Sequence, residues 1–346
     1  MMSYSSHNSR VGRPGWTLSL AIGLLPCLAL PAPAAPQETK RPAVHSEFVF
    51  DSFPYSPEAA ALFSSGDARL LVAAFDQGWS VDKVLGEAET AQVDVLTILD
   101  ELEQANLVRG SSDFDLRPGL LLIREAEAAG LESHLDASAA EFAAIIGEHW
   151  DEVERFAGSL EAGQDMPPGQ IVYSALVGGV LMGGMIDALF EDKTLIPGPP
   201  ERGRRGEGYY AWMLEGLDRP ASVHRQSARV GRYTVFSVGT GVEEDLRVQI
   251  DELRSEGPVY EAEDAERWRL FASLFSRDYL FPHFKSMRGD LLDLHLGLRS
   301  ARYTAFAEFA AWYYHDMTTR VVEALATGGR IAAPASSYKY AIRTGR

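Results

Sequence analysis

Residues 171–190 are the most apolar internal stretch of the chain, and they leave it few ways to fold. The run holds Gly178-Gly179 and Gly183-Gly184 with Met182 and Met185 among them. Only Tyr173, Ser174 and Asp187 interrupt it before Glu191-Asp192-Lys193. Small residues four or five apart let another helix approach closely, in a bilayer or in a protein core. The uninterrupted run is shorter than the ~18 residues expected of a span. The expectation is a buried central helix with others packed around it; insertion of 171–190 into a membrane is the alternative.

The flanking sequence is patterned for helices. Residues 120–129 read as one, and Ser138-x-x-Glu141 as a capping box opening another over 139–160. Phe142, Ile145, Ile146, Trp150, Val153 and Phe156 then share its buried face. Further helices are expected over 262–275, 288–298 and 306–326, the last ended by Gly328-Gly329. Tyr233 to Val238 reads as a strand, and 330–334 with 338–342 as a closing hairpin. Gly239-Thr240-Gly241 followed by a helix over 243–256 has the order of a dinucleotide fingerprint. Its third glycine position is Glu244, however, and Glu243, Glu244 and Asp245 fill the place of a pyrophosphate, so the glycines read as a turn. The fold class is mainly α: an N-terminal module, then a helical body with a few short strands.

Residues 57–118 are the most organised segment. A helix over 67–77 closes at Gly78, Ser80 caps a short helix from Val81, and 91–106 forms a long helix with Val95, Leu96, Leu99 and Leu102 on one stripe. Leu107-Val108, a turn at 110–113 and Phe114-Asp115-Leu116 follow as a hairpin. Helix, short helix, helix, hairpin resembles a winged helix-turn-helix, carried chiefly by Leu99-Asp100-Glu101-Leu102-Glu103-Gln104-Ala105-Asn106-Leu107-Val108. That resemblance implies a recognition helix running into a wing. A DNA reader needs Arg, Lys, Asn or Gln facing the groove. Between Glu87 and Gln104 this chain offers Glu87, Glu89, Asp94, Asp100, Glu101 and Glu103, with no Lys or Arg. Lys and Arg total 32 against 49 Asp and Glu, a formal charge of −17, which equally disfavours a nucleic-acid-coating protein. The expectation is a protein-binding or structural use of the module.

Arg10 and Arg13 without an acid, an apolar run from Trp16 to about Leu30, and Pro31-Ala32-Pro33-Ala34 together read as a secretory leader cleaved after Ala34. Cleavage removes Arg10 and Arg13 and takes the charge from −17 to −19. Leu24-Leu25-Pro26-Cys27 has the outline of a bacterial lipidation site, with Pro26 where a small residue belongs. Cys27 is the only cysteine, which excludes an intrachain disulfide framework. The expected organisation is a leader over 1–34, a polar tether over 35–56 that docks through Phe48-Val49-Phe50, the winged-helix-like module over 57–118, a helical segment over 119–196 and an α-rich C-terminal region with short strands over 197–346.

Chemistry-bearing residues gather in the C-terminal third: His283, Asp290, Asp293, His295, Glu308, His315 and Asp316. Imidazoles with carboxylates are the donor set of a zinc or iron site. His283, His295, His315 and Asp316 are its candidate ligands, although no His-Glu-x-x-His is present. Trp312, Tyr313 and Tyr314, with Tyr209, Tyr210 and Trp212, could wall a ligand cleft; core packing is the plainer use of aromatics at helical spacing. Arg202, Arg204 and Arg205 are the densest basic spot and could seat an anion. Ser80-x-x-Lys83 and Ser336-x-x-Lys339 match a serine–lysine spacing, but Ser80 is better used as a cap, and no Gly-x-Ser-x-Gly occurs. No reaction is legible. The reading preferred from sequence is an exported, non-catalytic protein of the cell envelope, periplasmic or extracellular, that binds another protein or a small ligand and uses no cofactor and no nucleic acid. Its alternatives are a metal-dependent hydrolase with zinc or iron, and a scaffold attached to the membrane through Cys27 or 171–190.

Overall fold

The computed structural model describes residues 48–346 apart from 88–91, 164–165, 203–205, 217–220, 242–245, 247–248 and 345–346. Residues 1–34, expected to be a leader, with Cys27 among them, most of the expected tether over 35–56, Arg204 and Arg205 lie outside the described residues. The chain is mainly α-helical with short strands.

Phe48-Val49-Phe50-Asp51-Ser52-Phe53 is rich in aromatic and β-branched residues, which favour an extended chain, and it forms strand β1 (Phe48–Phe53). The patch expected to dock a tether is thus part of a sheet, because its backbone pairs in full with a later strand. Helices Pro57–Ser64, Gly66–Asp76, Val81–Glu87 and Gln92–Gln104 follow, then the hairpin β2 (Val108–Arg109) and β3 (Arg117–Pro118). Ser80 accepts the Lys83 backbone N–H at 3.3 Å, as a cap does. The Lys83 ammonium lies over the Trp79 ring instead of serving Ser80.

β4 (Leu121–Ile123) stands where the sequence suggested helix, and the helix Glu125–Glu148 starts after it, with Glu127 reaching back to the Arg124 N–H at 2.8 Å. Ser138 is therefore in mid-helix rather than at a cap. Nothing in Leu131–Ala140 breaks a helix, and the Ser138 hydroxyl bonds the Tyr313 hydroxyl at 2.8 Å. A second helix, Trp150–Gly158, completes that segment.

The apolar run lies in a helix over Pro168–Asp192, almost wholly buried. It winds more widely, as a π-helix, from Ser174 to Gly184. Gly184 shows why glycine is used: a Cβ there would stand 2.3 Å from the Ala272 carbonyl oxygen of the crossing helix Ala262–Phe275.

A small hairpin, β5 (Glu201–Arg202) with β6 (Glu207–Gly208), leads into β7 (Tyr210–Glu215). β7 is the middle strand of a three-stranded sheet, antiparallel to β1 and parallel to β4. Side chains alternate across a strand. Tyr210, Trp212 and Leu214 of β7, Leu121 and Ile123 of β4 and Phe53 of β1 join the larger core of the central and C-terminal helices. Tyr209, Ala211 and Met213, Leu122, Phe48 and Phe50 close the core of the helices over 57–104. One sheet thus separates and seals two cores.

β8 (His224–Val230) and β9 (Tyr233–Gly239) form a hairpin, and β10 (Val259–Tyr260) and β11 (Ser337–Arg343) complete a four-stranded sheet in the order β10-β11-β9-β8. The segment 338–342 pairs with β9 and β10, not with 330–334, because β9 offers it an open, apolar edge. Gly239 has φ 155°, and a Cβ on it would stand 2.2 Å from the Ser336 carbonyl oxygen; it is the close approach of β11 that calls for glycine there. The C-terminal helix Phe306–Thr327 packs across both the helix Glu125–Glu148 and the three-stranded sheet.

Candidate functional site

Asp51 is paired across the sheet with Trp212 and so faces the larger core and the C-terminal helix. His315 sits on that helix with its ring 5.3 Å from the ring of Trp212 and 5.4 Å from that of Phe53. One turn on, the Thr319 hydroxyl accepts the Val223 N–H at 3.0 Å, which ties the start of β8 to the same helix face. That bond sets His224 beside His315, ring centroids 5.2 Å apart. Nε2 of His224 is 3.7 Å from Oδ1 of Asp51. One ligand atom from each of Asp51, His224 and His315 lies within 4.8 Å of the other two, the one such trio among the described residues.

The environment is largely dry, with a polar rim. Asp51 Oδ1 accepts the Ser52 N–H at 2.7 Å, and the Ser222 hydroxyl also bonds this carboxylate. Burial raises the Asp51 pKa above the usual carboxylate value, against the lowering influence of His224. Burial, reinforced by His224, holds His315 well below the ordinary imidazole value, so its ring is neutral at pH 7. Its buried Nε2 has no hydrogen-bond partner among the described residues. Tyr55 stands at the rim, its ring 5.4 Å from that of His224, and its phenol is pushed up by burial and by Asp51.

Comparison with protein-family models, characterised proteins and solved structures finds no match for this chain. The site is therefore read from its own chemistry.

Two imidazoles and one carboxylate are the donor set of zinc and non-haem iron(II) sites. In a tetrahedral site two ligand atoms about 2.1 Å from one ion stand ~3.4 Å apart. The Asp51–His224 separation of 3.7 Å is close to that, and the three ligand atoms, all within 4.8 Å of one another, would draw together around an ion. A buried His315 Nε2 without a partner among the described residues, and a buried carboxylate in the same trio, fit the addition of a positive ion.

The sequence candidates are dispersed. The structure does not bring His283, His295 and His315 together. His283 bonds Glu141 at 3.0 Å near the surface. His295 lies between Phe306 and Phe309. Asp316 bonds Arg320 at 3.0 Å rather than pointing at a ligand set. Of the four, only His315 belongs to the trio. The six aromatics are core residues and do not form one wall. Tyr209 faces the opposite core from Tyr210 and Trp212. The Tyr210 hydroxyl donates to the Pro197 carbonyl, and that of Tyr314 to Leu181 O at 2.6 Å. Tyr313 meets His134 and Ser138, and Trp312 is buried among other rings. Arg202, far from seating a free anion, is buried and paired with Glu308.

Sequence reasoning missed Asp51 and His224. Asp51 carried a usable signal, a carboxylate inside an aromatic-rich strand segment whose two faces both pack against other elements. His224 had none.

Proposed function

We propose that this is an exported protein of the cell envelope that binds a divalent transition metal ion, zinc or iron(II), through Asp51, His224 and His315. The observation that carries the reading is the convergence of those three side chains from β1, β8 and the C-terminal helix, with His315 neutral and its Nε2 unpartnered. An ion held by three protein groups keeps a position for water or substrate, as hydrolytic zinc sites do and closed structural sites do not. In this reading Asp51 supplies charge, His224 and His315 supply ring nitrogens, and Ser52 and Ser222 orient the carboxylate.

The winged-helix-like segment serves a protein contact. Asp94, Asp100 and Glu103 are exposed on the helix Gln92–Gln104, beside exposed Leu96, a surface suited to a basic or apolar partner and repelled by phosphates. Almost complete burial of the helix Pro168–Asp192 supports its use as a core helix rather than a span.

Metal content of untagged protein tests the site. About one equivalent of zinc or iron is expected, falling to background in Asp51→Asn and in His315→Ala, with a cobalt-substituted sample losing its visible absorption in both. Metal-free wild-type protein that also fails to take up cobalt(II) would sink the reading. Mass spectrometry of the protein from its producing cell should give a chain beginning at Ala35, and a full-length cytosolic chain would overturn export.

A further inference from the structure

The hairpin of β2 and β3 stands beside the short helical turn Arg299–Arg302, and an open cleft of about 250 Å³ lies between them. Arg117, Arg299 and Arg302 line it, together with Asp76, Asp115 and the ring of Phe114. Both carboxylates are already engaged. Asp76 accepts from Arg124 at 2.6 Å and from the Tyr303 hydroxyl at 2.7 Å, and Asp115 is bonded by Ser111 and Ser112 of its own turn. Arg299 and Arg302 come no nearer the Asp76 carboxylate than 3.7 and 3.8 Å. Each instead gives an N–H to the Asp76 backbone carbonyl, at 2.9 and 3.1 Å, and that shared oxygen holds the two guanidinium groups side by side. Their side chains are 46% and 53% exposed, which leaves the rest of their five N–H donors open to solvent. Arg117 is exposed as well and has no ion pair among the described residues.

Charge and size narrow the occupant. Arg124 matches the charge of Asp76, so the three arginines of the cleft outnumber the one remaining carboxylate, Asp115. In a chain of formal charge −17 this excess is local, and the rest of the surface repels an anionic membrane or a nucleic acid. A short anionic group that fits the guanidinium fork is left, and a carboxylate does. The cleft is smaller than the ~300–1,000 Å³ of small-molecule pockets, so it suits one or two side chains of a larger partner. Phe114 stands 78% exposed at its edge, and aromatic residues and arginines are enriched where proteins meet. We propose that this cleft docks a short acidic segment of a partner protein, with neighbouring carboxylates on Arg117, Arg299 and Arg302 and an apolar side chain of the same segment against Phe114. This docking uses none of the residues of the helix Gln92–Gln104 and does not depend on the metal centre.

Fluorescence anisotropy with the full chain and a rhodamine-labelled peptide, Gly-Glu-Glu-Phe-Gly, provides the test, with the same peptide carrying Gln for Glu as its control. Saturable binding of the Glu peptide at submillimolar protein is expected, and none of the Gln peptide. Arg117→Glu should weaken it about tenfold and Phe114→Ser about threefold. Both positions are exposed, so circular dichroism should show both variants folded. Arg229→Glu makes the same change of charge on the exposed face of β8 and should leave binding unchanged. Absence of saturable binding, equal binding of the Gln peptide, or unchanged binding by folded Arg117→Glu overturns the proposal. Equal weakening by Arg229→Glu also overturns it, because net charge alone would then be at work. Association with phosphatidylglycerol vesicles but not with the peptide overturns it in favour of a membrane.

Discussion

His295 is 4% exposed, its ring 5.9 Å from that of Phe306 and 5.5 Å from that of Phe309, and neither ring nitrogen has a partner among the described residues. Burial holds its pKa below the ordinary value. Below about pH 6.5 the unfolded chain therefore takes up a proton that the folded chain refuses, and stability falls as pH falls. His315 acts with the same sign. His295→Leu should raise stability by about 1 kcal/mol at pH 7.5 and by more at pH 5. Urea unfolding at both values measures this, and a gain that does not grow on acidification would refute it. The same two residues show what a sequence conceals at this scale. His295 and His315 both sit in helices, between Leu294 and Leu296 and between Tyr314 and Asp316, and both are buried. Only the distant approach of β1 and β8 gives one of them companions, and no local pattern encodes that approach.

Between elements, the most consequential polar contact is the pair Arg202–Glu308. Arg202 also donates to Asn106 O at 2.8 Å and Tyr209 O at 3.1 Å, and Glu308 accepts the Ala211 N–H at 3.3 Å. A residue of the β5 turn thus joins the hairpin region, β7 and the C-terminal helix. Burial raises the Glu308 pKa, opposed chiefly by Arg202. Arg202→Met leaves that carboxylate alone in the interior and should cost about 3–5 kcal/mol. Adding Glu308→Leu should recover the carboxylate's share, though not the two lost carbonyl contacts. Denaturant unfolding of the single and double variants decides it; a single variant within 1 kcal/mol of wild type would show the pair to be incidental. Helix positions at this scale were largely readable, because periodicity is local. The strand at 121–123 and the unbroken helix through Ser138 were not: three residues are too few for a period, and Ser138 finds its partner on Tyr313, far along the chain.

At the scale of the whole molecule, the described residues form one compact unit, and the segment that looks most like a separate module is not closed on itself. Its core includes Phe48 of β1, Leu122 of β4 and Tyr209, Ala211 and Met213 at β7, all outside 57–118. Asp76, at the end of the helix Gly66–Asp76, is buried and held from elsewhere, by Arg124 at 2.6 Å and the Tyr303 hydroxyl at 2.7 Å, with Arg299 and Arg302 donating to its carbonyl. An isolated piece spanning 57–118 would expose the apolar face that the sheet covers and leave Asp76 without these partners. A chain of about 60 residues is marginal even with its own core complete. The expectation is that this piece, made alone, shows narrow amide chemical-shift dispersion and no cooperative melting. In the full chain, the helices over 57–104 should then unfold in the same transition as the C-terminal helix, because β7 belongs to both cores. A dispersed spectrum with a sharp melt from the isolated segment would mean that its helices seal their own core. The sheet would then be a docking surface for a free-standing domain rather than the wall that both halves share.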